Sequence, residues 1–179
     1  MAVAEYNLFE RMLGIALLRA PTYEEVEADT TATRQALLIV GLVSVATGIG
    51  AFLAGAENLR IVGLIVGVVF ATVGWLVWAG AILLLGKSYL GASQIDGEWG
   101  GLPRTLGFAQ SPGILRVFLF VPIIGKWFFL AILIWQLATM VMAVRQALDF
   151  TPTSQIIGVV ALGFIPYGFL MVALMFWIL

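Results

Sequence analysis

The sequence of 179 residues contains no cysteine and no histidine. These two absences exclude a disulfide, a thiol nucleophile, an imidazole base and a zinc site of the usual nitrogen and sulfur kind. Charged residues are also scarce, because Asp, Glu, Lys and Arg make up only 11 % of the chain, less than half the share of an ordinary soluble domain. The net charge of −1 offers no basic surface to DNA or RNA. We therefore predict no nucleic-acid partner and no cofactor.

Hydrophobic residues are what the sequence has in excess, at 62 % of the chain. Its 9 basic and 10 acidic residues are too few to cover the surface of a soluble protein of this size. We predict an all-α integral membrane protein, a five-span transmembrane helical bundle with a short amphipathic N-terminal helix. The expected location is the inner or plasma membrane, so the lipid bilayer is the first expected partner.

The first 35 residues form the polar head of the predicted protein, either cytosolic or interfacial. The apolar residues of its first part recur at helical spacing and predict an amphipathic helix; they are Leu8, Phe9, Met12, Leu13, Ala16 and Leu17. The other side of that helix carries Asn7, Glu10, Arg11 and Gly14. Such a helix either lies along the membrane interface or packs on the protein's own spans. Thr22 and Glu25, just after Pro21, predict a capping box that starts a second helix over residues 23–29.

Residues 36–179 form the predicted membrane domain, with spans at about 36–56, 61–86, 105–125, 127–144 and 156–179. The third span is the irregular one. A helix that begins only at Gly113 is too short for a hydrocarbon layer of about 30 Å, and extending it back to residue 105 places Pro112 inside the span. We therefore expect this span to be broken or kinked, with Pro112 and Pro122 bracketing its doubtful part. The alternative is a segment at 113–125 that only dips into the membrane, which leaves four spans and weakens the charge bias described next. A turn at residues 124–126 would place Lys126 at an interface.

The distribution of basic residues predicts the orientation of these spans. With the N-terminus in the cytoplasm, only Arg60 and Lys126 fall on the outer side. The inner side then carries Arg11, Arg19, Arg34, Lys87, Arg104, Arg116 and Arg145. This bias agrees with the positive-inside rule and predicts a cytoplasmic N-terminus and an outer C-terminus.

Residues for contact and packing are easier to name than residues for chemistry. The candidate partner or lipid contacts are Glu24, Glu25, Asp29, Trp99, Arg104, Arg116, Arg145 and Asp149. Gly63 and Gly67 form a small-residue motif that favours close helix packing within the bundle or between two copies. Hydroxyl and amide side chains inside the spans are expected to bond the preceding turn of their own helix or a neighbouring helix; they are Ser44, Thr47, Thr72, Gln136, Thr139 and Tyr167. We predict no catalytic residue and no metal ligand.

Several short segments in a fixed order resemble the YIP family, named for interaction with Ypt/Rab-type GTPases, and its short prokaryotic branch in particular. They are residues 20–29 (APTYEEVEAD), 104–113 (RTLGFAQSPG), 121–125 (VPIIG), 135–137 (WQL) and 143–150 (AVRQALDF). The resemblance covers roughly residues 5 to 175 and implies a five-span helical domain with a cytoplasmic N-terminus. Eukaryotic members of the family bind GTPases through a longer cytosolic region with an Asp-Leu-x-Gly-Pro-like motif. This head has no such motif, so GTPase binding is not carried over.

Three functions follow from these patterns. The first is a non-catalytic scaffold or accessory subunit that holds other membrane proteins, or further copies of itself, through the acidic head and the loop at residues 87–110. The second is a carrier, channel or lipid-handling protein built around the broken third span and Arg116. The third is a membrane enzyme that uses Asp96, Glu98 and Arg104. The lack of catalytic groups favours the first.

Overall fold

The computed structural model describes residues 7–53, 61–90, 101–121, 124–147, 154 and 156–163. Helices account for 91 % of the structure, and no strand occurs in the part of the chain that is described. The predicted all-α class is therefore confirmed for these ranges. The elements are α1 (Leu8–Ala16), α2 (Ala20–Ala28), α3 (Ala32–Leu53), α4 (Ile61–Leu90), α5 (Gly101–Phe108), a 3₁₀ helix (Ser111–Phe120) and α6 (Ile124–Ala147). Residues 156–163 are also helical.

Within the described part of the chain, two helices are long and apolar enough to cross a membrane, by length and composition alone. They are the stretches Ala32–Gly50 of α3 and Trp127–Ala147 of α6, which overlap the predicted spans at 36–56 and 127–144. The helix α4 covers the predicted span at 61–86. Of the predicted span at 156–179, residues 164–179 lie outside the described part of the chain.

The helices α3 and α6 expose large apolar residues. The buried face of α3 combines alanines such as Ala36 with Ile39, Val40 and Val43. Its exposed face carries Leu37, Leu38, Leu42, Val45, Ile49 and Leu53. In α6 the polar side chains of Gln136 and Thr139 are buried together with Ile132 and Val144. The exposed apolar residues of α6 are Trp127, Phe129, Leu130, Ile134 and Trp135. A helix of a soluble protein shows the opposite distribution, with its polar face outward.

The predicted third span is divided into two helices. The helix α5 ends at Phe108, and the chain continues from Ser111 as a 3₁₀ helix of 10 residues, longer than such helices usually run. The break predicted around Pro112 is therefore present. The predicted turn at residues 124–126 is wrong, because α6 already begins at Ile124. The bend lies at Val121 instead, whose carbonyl accepts a 2.8 Å hydrogen bond from the Gly125 N–H.

Two local predictions for the head also need correction. The capping box belongs to α1, where the Asn7 side chain accepts from the Glu10 N–H at 2.9 Å and the Glu10 carboxylate accepts from the Asn7 N–H at 2.9 Å. The predicted box at Thr22 does not form, because α2 begins two residues earlier with Pro21 in its first turn. Pro21 suits that position, since the missing N–H would have had no partner in the helix.

The side of α1 expected to be polar is the side that packs on the protein. Arg11, Gly14 and Ile15 are buried, whereas Phe9, Leu13 and Leu17 are exposed. Arg11 can be buried there because its charge is paired, as described below. The helix therefore covers the core with one face and presents an apolar stripe on the other.

Candidate functional site: polar joints of the bundle

The break between α5 and the 3₁₀ helix is closed by hydrogen bonds that replace those of a regular helix. Pro112 has no N–H, so the Phe108 carbonyl lacks the donor that a continuing α-helix would supply. The Ser111 hydroxyl donates to this carbonyl instead, with 2.5 Å between the oxygens. The Gly113 N–H donates to the Gln110 carbonyl at 2.8 Å. In a continuous α-helix this N–H would donate to the Ala109 carbonyl, which is therefore left without its helical donor.

Two side chains of α6 complete this joint. Thr139 is fully buried, and its hydroxyl oxygen lies 2.6 Å from the Ala109 carbonyl oxygen and 2.8 Å from the Gln136 carbonyl oxygen in its own helix. We assign its single proton to the nearer acceptor, Ala109. The side-chain amide of Gln136 donates to the Gln110 carbonyl at 3.2 Å. Both side chains thus bond to a neighbouring element, which is one of the two expected outcomes. We call the set of Ser111, Gln136 and Thr139 with their three acceptor carbonyls the break joint.

Gly113 and Gly107 allow the neighbouring helices to approach the break. A methyl group at Gly113 would lie 2.5 Å from Gln136 Nε2 and 2.7 Å from Val43 Cγ1. A methyl group at Gly107 would lie 2.8 Å from the Cβ atom of Ala36. These three distances are shorter than the contacts that real Cβ atoms make, so a larger residue at either position requires its neighbours to shift. The broken segment is thus held between α3 and α6.

Arg116 lies one turn of the 3₁₀ helix beyond Pro112 and is half-buried. Its guanidinium donates to the side-chain carbonyl of Gln136 and lies 5.7 Å from the ring centre of Phe129. Gln136 therefore accepts from Arg116 with its oxygen and donates to the break with its nitrogen. This arrangement extends the break joint to a cation on the 3₁₀ helix.

A second polar joint holds the head against the bundle. Arg11 of α1 is almost completely buried, and its Nη2 atom lies 2.5 Å from Glu25 Oε1 and 2.6 Å from Asp29 Oδ2. Its Nη1 atom donates to the side chain of Gln35 on α3 at 2.8 Å. One guanidinium thus connects three consecutive helices. We call this set the head joint.

The charges of the head joint stabilise one another. Burial lowers the pKa of Arg11, but its hydrogen bonds to Glu25 and Asp29 outweigh this effect and hold the pKa above its ordinary value. The hydrogen bond from the Thr31 hydroxyl, together with Arg11, lowers the pKa of Asp29 despite partial burial. Both groups are therefore ionised at neutral pH. The ion pair between Arg11 and Asp29 is therefore present at neutral pH.

Tyr23 strengthens the same joint from α2. Its ring is fully buried, and its hydroxyl lies 2.9 Å from the Ile15 carbonyl and 3.2 Å from the Thr139 carbonyl. Burial raises the pKa of this phenol, so the group is a neutral donor at neutral pH. Tyr23 thereby connects the head to α6 at the same residue that closes the break.

Arg104 is the most deeply placed cation of the broken segment, at 5 % exposure. Its Nη2 atom donates to the Glu27 carbonyl of α2. Its Nε atom is buried and has no hydrogen-bond partner among the described residues. Beside it lies an open cleft of about 480 Å³ lined by Glu24, Glu27, Ala28, Thr30, Gly101 and Arg104.

The other predicted contact residues are placed less completely. Glu24 is exposed and accepts from the Gln146 amide at 3.2 Å, and Arg145 is exposed in the last turn of α6. Trp99, Pro122 and Asp149 lie outside the described residues. Gly63 and Gly67 lie in α4, but their surroundings lie outside the described part. Pro112 is buried in the first turn of the 3₁₀ helix.

Three joint residues were not predicted from the sequence: Arg11, Ser111 and Tyr23. A usable signal for Arg11 was the spacing of Glu25 and Asp29, because acids four residues apart lie on one side of a helix and can receive one guanidinium. Ser111 directly precedes Pro112, where a hydroxyl can serve the carbonyl that the proline leaves without a donor. No local pattern distinguishes Tyr23 from an ordinary buried aromatic residue.

The fold and its two joints define an all-helical bundle whose described polar groups connect its own elements. Comparison of the chain with protein-family models, with curated proteins and with solved structures finds no match.

Proposed function

We propose that this chain is a multi-pass membrane protein that acts as a non-catalytic scaffold or accessory subunit. The observation that carries the proposal is the exposed surface of α3 and α6, which is formed by large apolar side chains, while the polar side chains of Gln136 and Thr139 lie inside. Lipid is the solvent in which such a surface is stable, because membrane helices pack through small residues and hydrogen bonds.

The polar joints support a structural role over a reactive one. Arg11, Gln136 and Thr139 each donate to another part of the chain, so these groups are engaged in holding helices together. The break of the third segment, the natural place for a transport site, is packed by Gly113 against α3 and α6. These contacts favour the scaffold over the carrier.

The resemblance to the YIP family supports the finer parts of the proposal. It favours five crossings at about 36–56, 61–86, 105–125, 127–144 and 156–179, with the N-terminus in the cytoplasm of a cell with an inner or plasma membrane. Residues 104–113, one of the segments that carry the resemblance, are also well packed, since Arg104 to Ala109 and Ser111 to Gly113 are buried.

The exposed surface of the head is the proposed docking surface for a partner protein. Glu25 and Asp29 are engaged by Arg11, which leaves Glu24 as the exposed acid of α2. A partner that meets this surface is expected to present a basic group to Glu24. The partner can be another membrane protein or a second copy of this chain.

Extraction with a mild detergent followed by native mass spectrometry tests the scaffold. We expect the full chain to be recovered with a stable companion, and Glu24→Arg to reduce the amount of that companion. Thr33→Arg, which adds the same side chain at another exposed position, is the matched control and should leave the companion bound. Recovery of monomer alone from the unaltered chain would contradict the proposal, as would release of the protein from membranes by alkaline carbonate.

A further inference from the structure

The open cleft of about 480 Å³ beside Arg104 takes part in neither of the two joints. Glu24 and Glu27 are three residues apart and share one face of α2, and Gly101 and Arg104 have the same spacing in α5. Gly101 allows the two helices to meet, because a methyl group there would lie 2.9 Å from the Cγ atom of Glu27. The volume of the cleft is within the range of small-molecule sites, about 300–1,000 Å³.

Arg104 brings to this cleft a buried positive charge with few acceptors around it. Its side chain is 5 % exposed, and its Nη2 atom donates to the backbone carbonyl of Glu27. Its Nε atom is buried without a hydrogen-bond partner, and among the described residues no carboxylate forms an ion pair with it. Buried charges are normally paired, as that of Arg11 is by two acids. Arg104 therefore indicates a further anionic group at the cleft.

The charges of the lining favour a zwitterion over a simple ion. Two carboxylates and one guanidinium line the cleft, so Glu24 and Glu27 would repel an anion that carried no positive group. A simple cation would leave the buried charge of Arg104 without a counter-ion. The helix ends repeat this pattern, because α2 presents its negative C-terminal end and α5 its positive N-terminal end. A ligand with both an anionic and an ammonium group matches the lining.

The cleft lies at the level where the two candidate spans have their ends. Thr30, which lines the cleft, is two residues before Ala32, where the apolar stretch of α3 begins. Glu24 accepts at 3.2 Å from the amide of Gln146, which is in the last turn of α6 beside the end of its apolar stretch at Ala147. In a chain whose α3 and α6 cross the bilayer, this level is the boundary between hydrocarbon and phospholipid head groups.

We propose that the cleft binds the zwitterionic ethanolamine phosphate head group of a membrane phospholipid. The phosphate accepts from the guanidinium of Arg104, and the ammonium group donates to the carboxylate of Glu24. A carboxylate has about four acceptor positions, so Glu24 can serve the Gln146 amide, the head group and a basic group of a partner together. The proposal rests on the proposed function, because only a chain that spans the bilayer holds the cleft at head-group depth.

Titration of the full chain in mild detergent with dihexanoyl phosphatidylethanolamine tests this site. Binding is measured as the rise in the melting midpoint, followed by tryptophan fluorescence. Dihexanoyl phosphatidylcholine, which has no N–H donor, and dihexanoyl phosphatidylglycerol, which has no cation, are the head-group controls. We expect phosphatidylethanolamine to act at a concentration about tenfold lower than either control, because each control loses a charge-assisted hydrogen bond. Equal responses to the three lipids would overturn the proposal.

A pair of matched variants tests the acidic side of the cleft. Glu24→Gln should remove the preference for phosphatidylethanolamine over phosphatidylcholine and leave the lipid-free midpoint unchanged, since Glu24 is exposed. Glu10→Gln is the control, because Glu10 is an exposed acid outside the cleft and glutamine retains its capping box. Retention of the preference in Glu24→Gln, or its loss in Glu10→Gln, would overturn the site.

The anion that meets Arg104 can also be tested against the chain's own acids. The double variant Asp96→Asn with Glu98→Gln should leave both the lipid-free midpoint and the lipid preference unchanged. A lower lipid-free midpoint in this variant, together with loss of the lipid preference, would show that an acid of the chain serves Arg104 and would overturn the proposal.

Two further arms separate the source of the head group and the two proposals. Glycerophosphoethanolamine carries the same head group without acyl chains, so an equal shift with this compound would overturn the lipid as the ligand and assign the cleft to a soluble zwitterion. Absence of a head-group preference in a protein that stays in membranes under alkaline carbonate overturns the role of the cleft alone. Release by carbonate contradicts the proposed function itself.

Discussion

Replacing Thr139 by valine tests whether the break of the third segment is held by one hydroxyl. Valine keeps nearly the shape of threonine, so the change removes a donor without opening a large cavity. Thr139 is 0 % exposed, and its hydroxyl lies 2.6 Å from the Ala109 oxygen. The Gly113 N–H, which would reach this oxygen in a continuous helix, bonds to the Gln110 carbonyl instead. The variant therefore leaves the Ala109 carbonyl buried without that donor.

The expected magnitude follows from two kinds of measurement. A buried group left without its hydrogen bond costs about 1–3 kcal/mol, and interhelical hydrogen bonds in membrane proteins average about 0.6 and reach about 1.7 kcal/mol. We expect Thr139→Val to lower the free energy of unfolding by about 1–2 kcal/mol, which is the lower part of the first range and lies around the top of the second. For a chain of this size that corresponds to a fall in Tm of about 2–8 °C, measured by tryptophan fluorescence on heating in detergent.

Thr47→Val is the matched control, since the Thr47 hydroxyl bonds only within α3, to the Val43 carbonyl at 2.7 Å. That carbonyl keeps the backbone N–H of its own helix, so the Tm should hardly change. Thr139→Ser, which retains the hydroxyl, should be more stable than Thr139→Ala. Equal Tm values for the two valine variants would refute the role assigned to the break joint.

Three further predictions concern the packing and charge of the bundle. Gly107→Ala should lower the Tm because its methyl group would lie 2.8 Å from the Cβ atom of Ala36 in α3. Gly41→Ala is the control: it has open space around it and should leave the Tm unchanged or raise it. Equal Tm shifts for the two variants would contradict the packing argument. Tyr23→Phe should destabilise the protein by about 1 kcal/mol, because the Ile15 and Thr139 carbonyls lose the hydroxyl that donates to them. A neutral result in detergent unfolding would show that the hydroxyl does not hold the head. The lowered pKa of Asp29 predicts stability that is complete above its ordinary pKa of 3.8 and is lost as the pH falls through the folded-state value. Unfolding midpoints measured from pH 6 to about pH 2 should show this loss, and Asp29→Asn should remove part of it; an identical pH profile for the variant would exclude Asp29 as its source.

The sequence was sufficient to predict the break of the third segment but not the way in which it is closed. Pro112 alone requires that a helical carbonyl lose its donor, so the interruption is a local consequence of covalent structure. The replacement donors are the neighbouring Ser111 and, from residues far along the chain, Gln136 and Thr139. Gln136 and Thr139 can be recognised in the sequence as polar residues in an apolar helix, but the carbonyls that they meet depend on how α6 packs against the break.

The N-terminal head also shows which features the sequence predicts and which depend on packing. Helical spacing correctly predicted an amphipathic α1, yet it placed Arg11 on the outer, polar face, since periodicity records which residues share a face and not where that face points. Only the tertiary structure brings Glu25, Asp29 and Gln35 to Arg11, which turns that side inward and Phe9 outward.

Composition and local chemistry by themselves determined the helical class, the apolar character of the long segments and the interruption at Pro112, because each follows from residues adjacent in the chain. The tertiary structure decided which charges are paired, which carbonyls are satisfied and which face of α1 is exposed. These features depend on contacts between residues far apart in sequence, and such contacts exist only once the helices have packed.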